Sequence, residues 1–273
     1  MKRFIVLLTD FNNDFYVGQM KGVIKNINPN VEIIDLCHNI TPQNVLQASI
    51  ILAKSYKYFP KKSIFVCVVD PGVGSDREIL LVKTNSYIFL VPNNGLITEV
   101  INNEKKYFVY KVVNQNFFLQ KISNTFHGRD IFSPVSAYLS KGISINKICE
   151  EFEKTKIVKL QSVDSQIKKV GNKKVVVGKY LFSDSFGNIV TSISEEKLDK
   201  NKLDKYCITV WYRGQQWFKI KLKKCYTDVK EKQLVAYVNS FGYIEIAINK
   251  GNAFSFLNNK IDLLFAEFRL MYE

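Results

Sequence analysis

Three short apolar runs, FIVLL (4–8), VEIIDL (31–36) and SIFVCVV (63–69), are separated by two stretches of helical spacing. This alternation constrains the fold more than any other feature of the chain. In the first helical stretch, residues 16–27, the spacing sets Val17, Met20, Val23, Ile24 and Ile27 on one face. In the second, residues 42–58, it does the same for Val45, Leu46, Ile50, Ala53 and Tyr56. Thr41 stands as a candidate N-cap, with Pro42 in the first turn, where a missing N–H is tolerated. Strand, helix, strand, helix, strand predicts a parallel sheet with right-handed crossovers, a Rossmann-like α/β layering. A fourth run, SYIFLV (86–91), extends the sheet.

Ligands of such sheets bind beyond the carboxyl ends of the strands. Two acids fall there, Asp10 after the first run and Asp70 after the third. One strand-end aspartate reads as a turn former; two on one rim point to a site. No GxGxxG follows the first strand, so a dinucleotide site is not supported. The stretch VCVVDPGVGSDRE (66–78) carries Asp70 into a Pro71-Gly72 loop that returns Arg77. A carboxylate and a guanidinium are thereby offered to each other.

Beyond residue 170 the texture changes to short β-rich runs, KVVVGKYLF, NIVTSI, YCITVWY, WFKIKL and LVAYVNSFGYIEIAI. The expected organisation is an α/β domain over 1–160, a polar linker over 161–169 and a smaller all-β, barrel-like domain over 170–273. The net charge of +14 comes mostly from scattered lysines, without an RNP, helix-turn-helix or zinc-finger signature. It reads as a solvated surface, not a nucleic-acid face. Five cysteines without a CxxC pair fit reduced thiols. No run is long enough to span a membrane, and no signal-peptide pattern opens the chain, so a cytoplasmic location is expected. Carboxylates at Asp10, Asp14 and Asp70 could in principle hold magnesium, but Arg77 nearby opposes a cation; no metal is expected.

Histidine is scarce, His38 and His127 only. His127 lies in TFHGRD, before the helix-like run IFSPVSAYL; its setting suits a functional ring, whereas His38 is expected to brace the loop after the second strand. Asp130 is expected to cap the helix and Arg129 to pair with an acid. In SDSFGNIVTSI, Phe186, Gly187 and Asn188 suit a flat heterocycle: the ring stacks, glycine admits close approach, and the amide both donates and accepts. A plain β-turn is the alternative. Glu245 sits inside an apolar strand and needs a partner or a ligand.

LLTDF, DFYVGQMKG, INPN, DLCHNITPQN, YFP, VVDPGVGSDR, PNNGLIT, TFHGRDIFSPVSA, DSFGN and NSFGYIEIA occur here in one order and spacing. In this the chain resembles the S-adenosyl-L-methionine (SAM) hydroxide adenosyltransferases, adenosine-forming SAM hydrolases related to the fluorinases and chlorinases. The resemblance spans nearly the whole chain. It implies a catalytic triad of Asp70, Arg77 and His127, and ribose binding by Asp10, with Asp14 and Tyr16 beside it. Adenine and methionine contacts would come from Asp184, Phe186, Asn188, Ser240 and Glu245, with Asn249 and Ala253 as backbone candidates. It also implies a homotrimer with sites between subunits, SAM as substrate, water as co-substrate and no cofactor. Three positions depart from the family pattern: Asn12 where glycine is usual, Phe15 where proline is usual, and Ser192 where asparagine is common. Either Asp70 or His127 could take the proton from water. Rival readings are a halogenase, with halide as nucleophile, and a non-catalytic SAM or adenosine binder.

Overall fold

The structure, a computed structural model, describes residues 3–12, 14–171 and 173–272. It divides into two compact units, Met1–Leu160 and Gln161–Glu273. In the first, β1 (Phe4–Thr9), α1 (Phe15–Ile27), β2 (Glu32–Cys37), α2 (Val45–Ser55) and β3 (Ile64–Val68) follow the expected alternation. β4 (Ile79–Thr84), β5 (Ile88–Pro92), α3 (Thr98–Asn103) and β6 (Tyr107–Val112) come next. A π-helical turn at Gly128–Phe132 then leads into α4 (Ser133–Ser140), α5 (Ile145–Ile148) and β7 (Cys149–Glu151).

The sheet order is β2-β1-β3-β5-β4-β6-β7. β2, β1, β3 and β5 run parallel. β4, β6 and β7 pair antiparallel, so the sheet is mixed, not parallel throughout. The reason is local: β4 is joined to its neighbour β5 by the short turn 85–87, and only a longer crossover lets neighbouring strands run parallel.

β1, β3 and β5 are buried on both faces and feed two cores by their period-2 alternation, whereas β2 at the sheet edge is only partly buried. Ile5, Leu7, Ile64, Val66 and Val68 meet Val17, Met20 and Ile24 of α1. Val6, Leu8, Phe65 and Cys67 meet Ala48 and Leu52 of α2. The crossovers from β1 to β2 and from β2 to β3 thus cover opposite faces. That places the switch point between β1 and β3, where an open α/β sheet binds its ligand. α2 begins later than the sequence suggests: Asn44, not Thr41, is its N-cap, its side chain accepting from Gln47 N at 2.9 Å. Gln43 holds a positive φ of 66°, which keeps Pro42 and Gln43 out of the helix.

In the second unit the strands are β8 (Gln166–Val170), β9 (Lys173–Gly178), β10 (Tyr180–Ser183), β11 (Ile189–Ser194), β12 (Tyr206–Tyr212) and β13 (Gln215–Lys221). β14 (Leu234–Val238), β15 (Tyr243–Ile248), α6 (Ala253–Asn258) and β16 (Glu267–Tyr272) complete it. β8 takes up half of the stretch expected as linker. Two antiparallel sheets, β10-β11-β15-β14 and β13-β12-β16-β9-β8, share one apolar core. Neither closes into a barrel among the described residues, although a single bridge, Leu222 to Ala236, joins the end of β13 to β14. Among those residues no helix is long and apolar enough to cross a membrane.

Phe65 is fully buried, stacked on Phe89 at 5.1 Å and edge-on to Phe59 at 5.4 Å. Phe65→Ala is expected to cost about 3–5 kcal/mol, read as a lower denaturation midpoint of the first unit.

Candidate functional site

At the carboxyl ends of β1 and β3 lies a cleft of about 300 Å³, walled by Asp10, Phe11, Asp70, Pro71, Phe126 and His127. Asp10 follows β1 directly, and its Oδ2 accepts from the Gln43 backbone N–H at 2.8 Å. The left-handed turn at Gln43 is what aims that N–H. Asn12, in place of the usual glycine, sits at φ 54°, a left-handed conformation that asparagine tolerates better than most residues. His38 braces this corner, as its sequence setting predicts: Nδ1 lies 2.9 Å from Thr9 Oγ1, and its carbonyl accepts from Asn12 N at 2.6 Å.

Asp70 and Arg77 form a bidentate pair. Arg77 Nε donates to Oδ1 at 2.8 Å and Nη2 to Oδ2. The side chains are only 4% and 9% exposed, so the pair is held out of water. The loop between them is locked by Val73 N to Asp70 O and Ser75 N to Gly72 O, both 3.2 Å. Gly74, rather than Gly72, is the glycine this loop needs. Gly74 has φ 82°, and a Cβ there would lie 2.3 Å from Asn124 O, whereas at Gly72 it would make ordinary contacts.

Nη2 of Arg77 also lies 3.3 Å from Nδ1 of His127. Arginine can only donate, so Nδ1 accepts and the ring proton sits on Nε2. Burial lowers the pKa of His127 below the ordinary 6.5, and Arg77 lowers it further against Asp70 and Asp130. The ring is therefore neutral at pH 7. His127 opens the π-helical turn Gly128–Phe132, a distortion often found at functional sites. Asp130 does not cap the helix as expected. It is fully buried, takes Arg129 Nε at 2.6 Å, and accepts from Ser123 N at 2.8 Å. Arg129 thus pairs with its own neighbour, and Asp130 anchors the segment before His127.

The second unit holds a separate cleft of about 430 Å³, lined by Asp184, Phe186, Tyr237, Ser240 and Glu245 among others. Asp184 Oδ1 accepts from Phe186 N at 3.0 Å and Asn188 N at 2.8 Å, and Oδ2 from Asn188 Nδ2 at 2.9 Å. This turn leaves the Phe186 ring 76% exposed, available for stacking. Gly187, φ 80°, is required, since a Cβ would lie 2.2 Å from Asn252. Glu245 finds the partners its apolar strand demanded: the Tyr237 hydroxyl and Asn239 Nδ2, the latter at 2.8 Å. Burial raises its pKa, with Asp184 adding to the effect.

Residues 5–149 match the family model described as the SAM hydroxide adenosyltransferase N-terminal domain, and residues 178–262 the model for its C-terminal domain. The chain belongs to this family. It is 33% identical to the (R)-S-adenosyl-L-methionine hydrolase of Methanocaldococcus jannaschii, over 93% of this chain and 91% of that one. It is 26% identical to the fluorinase of Nocardia brasiliensis, over 90% of each. A crystal structure of an uncharacterized conserved protein from Thermotoga maritima superposes with a TM-score of 0.84 at 33% identity, covering 98% of this chain and all of that one.

Against this SAM hydroxide adenosyltransferase background, the structure brings Asp10, Asp70 and His127 to one cleft, with Arg77 bonded to both of the latter. It brings Asp184, Phe186, Ser240 and Glu245 to the other. Asn188 is buried beneath that cleft, on Asp184. Asp14 is not at the cleft; it caps α1, accepting from Phe15 N at 2.7 Å, an N–H that the family's usual proline would lack. Tyr16 reaches the cleft only through its rings' neighbours, Phe126 at 5.0 Å and Phe11 at 5.5 Å. Asn249 donates its side-chain amide to Val229 O at 2.8 Å, and Ala253 is buried at the start of α6. Ser192 pins the β9–β10 turn by accepting from Lys179 N at 3.0 Å. Sequence reading missed Tyr237. The hairpin register sets it directly across from Glu245, and the symmetry of the runs about Ser240-Phe241 carried that signal.

With two histidines, the ring NMR spectrum is simple to assign. The signal lost in His127→Ala is expected to titrate below pH 6.5. In Arg77→Gln the His127 midpoint should move up, because a lowering charge is gone while Asp70 and Asp130 remain.

Proposed function

We propose that this chain is an enzyme that hydrolyses SAM to adenosine and L-methionine, by attack of water or hydroxide at the 5' carbon. The observation that carries the reading is the bonded cluster Asp70, Arg77 and His127, of which Asp70 and His127 line the same cleft as Asp10 and Arg77 is bonded to both. The leaving group is a neutral thioether departing from a sulfonium, so it needs no general acid. The nucleophile is the difficulty: water has a pKa of about 15.7. Arg77 stabilises incipient hydroxide, and Asp70 and His127 orient the water and take its proton, a contribution typically of about 10²–10⁴-fold. His127, neutral with its proton on Nε2 and its Nδ1 held by Arg77, donates to the water and orients it; to take the proton instead, Nδ1 would have to leave Arg77. Asp70 also draws the cationic sulfonium. Asp10, fixed by Gln43, receives the ribose hydroxyls and adds orientation. No step is assigned to a metal or cofactor.

Phe186 stacks the adenine, and Asp184, Ser240 and Glu245 supply the polar contacts, with Asn188 holding Asp184 in place. The two clefts belong to different units, and the reading joins them across subunits of a homotrimer: one copy contributes Asp10 and the triad, its neighbour the stacking cleft. A halogenase would place halide beside Asp70, where like charge opposes it. A SAM or adenosine binder would have no use for the triad.

Purified protein incubated with SAM should yield adenosine and methionine, with a rate indifferent to added chloride or fluoride. Arg77→Lys, which keeps the charge but loses the fork, should lower kcat by about 10²–10³-fold with a much smaller change in KM. A kcat near wild type would remove Arg77 from the mechanism.

A further inference from the structure

A second cleft of about 220 Å³ adjoins the triad within the first unit, lined by Arg77, His127, Lys111, Ile79, Ile131 and Phe118, with Asp76 and Glu78 also on its wall. The ion pair is split between the two clefts. Asp70 lines the larger one and not this one; Arg77 lines this one and not the larger; His127 lines both. Arg77 is nine-tenths buried, and among the described residues its Nη1 has no protein acceptor. Glu78 is engaged, taking Asn93 Nδ2 at 3.0 Å, and the exposed Asp76 and half-exposed Lys111 stand at the open side.

We infer that this second cleft is the supply path for the co-substrate water, separate from the route SAM takes. The inference rests on the hydrolase reading. The charges sort the reactants. The sulfonium cation is favoured in the cleft that carries Asp10 and Asp70, and incipient hydroxide on the side that carries Arg77. Substitution at carbon requires the nucleophile to arrive opposite the departing sulfur, so a water source on the far side of the triad from the SAM cleft meets the stereochemical demand. The volume holds several waters, so water can be replenished while the sulfonium end of the substrate occupies the larger cleft. As the oxygen bonds to the 5' carbon, the C–S bond breaks and its electron pair stays on sulfur. The proton of the water is taken within the Asp70–Arg77–His127 cluster and leaves to solvent by His127, which lines both clefts.

The test compares wild type with three variants by SAM turnover in buffer containing methanol. Lys111→Trp fills the open side from a surface position. Lys111→Ala removes the same charge without filling it. Phe118→Ala widens the cleft. Lys111→Trp is expected to lower kcat at least several-fold with KM for SAM unchanged, and Lys111→Ala to keep the wild-type kcat. Phe118→Ala is expected to raise the share of 5'-O-methyladenosine over adenosine, because methanol then reaches the carbon. If wild type hydrolyses SAM and all three variants match it in kcat and product share, the supply path is overturned and the hydrolase reading stands. If wild type leaves SAM intact, both fall.

Discussion

The buried pair of Asp70 and Arg77 is the interaction on which the site depends. Taking both charges out of water is costly, and the cost is offset only because the fork satisfies both carboxylate oxygens at once. The pair then fixes a third group: the remaining donor geometry of Arg77 sets the tautomer of His127. One ion pair thus sets the tautomer of the neighbouring ring, while burial and the Arg77 charge hold its pKa down. Removing either member would leave an uncompensated buried charge, a loss of about 3–5 kcal/mol in such settings. Function and local stability are coupled here, so conservative variants, not alanines, separate them.

The fold supplies this pair at low entropic expense. β1 and β3 are neighbours at the switch point, and each ends in an aspartate. Because both strands are buried on both faces, their register is over-determined, and a slip of one residue would invert every core side chain. Asp10 and Asp70 inherit that precision. Gly74 lets the loop turn back under Asn124 and set Arg77 against Asp70, and β4 then leads the chain away from the site as an antiparallel strand. The antiparallel half of the sheet is therefore not a decoration of the parallel half. It begins with the strand that follows Arg77 and turns sharply back into β5.

Much of this was legible in the sequence. The helical spacing in residues 16–27 found α1, and the strand-end acids found the rim. The loop VCVVDPGVGSDRE announced the pair, since a carboxylate and a guanidinium seven residues apart across a Pro-Gly turn have few other places to go. What was hidden depended on pairing over distance. The run EILLVKT is as apolar as the others, but nothing local says that it runs antiparallel. Asp14 and Asp130 carry the residue type of a site and perform structural work, capping α1 and anchoring Ser123. Tyr237 was invisible without the hairpin register that sets it against Glu245.

The central claim is that water is the nucleophile and the 5' carbon its target. Turnover of SAM in ¹⁸O-labelled water, with products analysed by mass spectrometry, tests it directly. The account predicts adenosine carrying the label at its 5' oxygen, together with unlabelled methionine. Unlabelled adenosine, or product that forms only when halide is supplied, would contradict it.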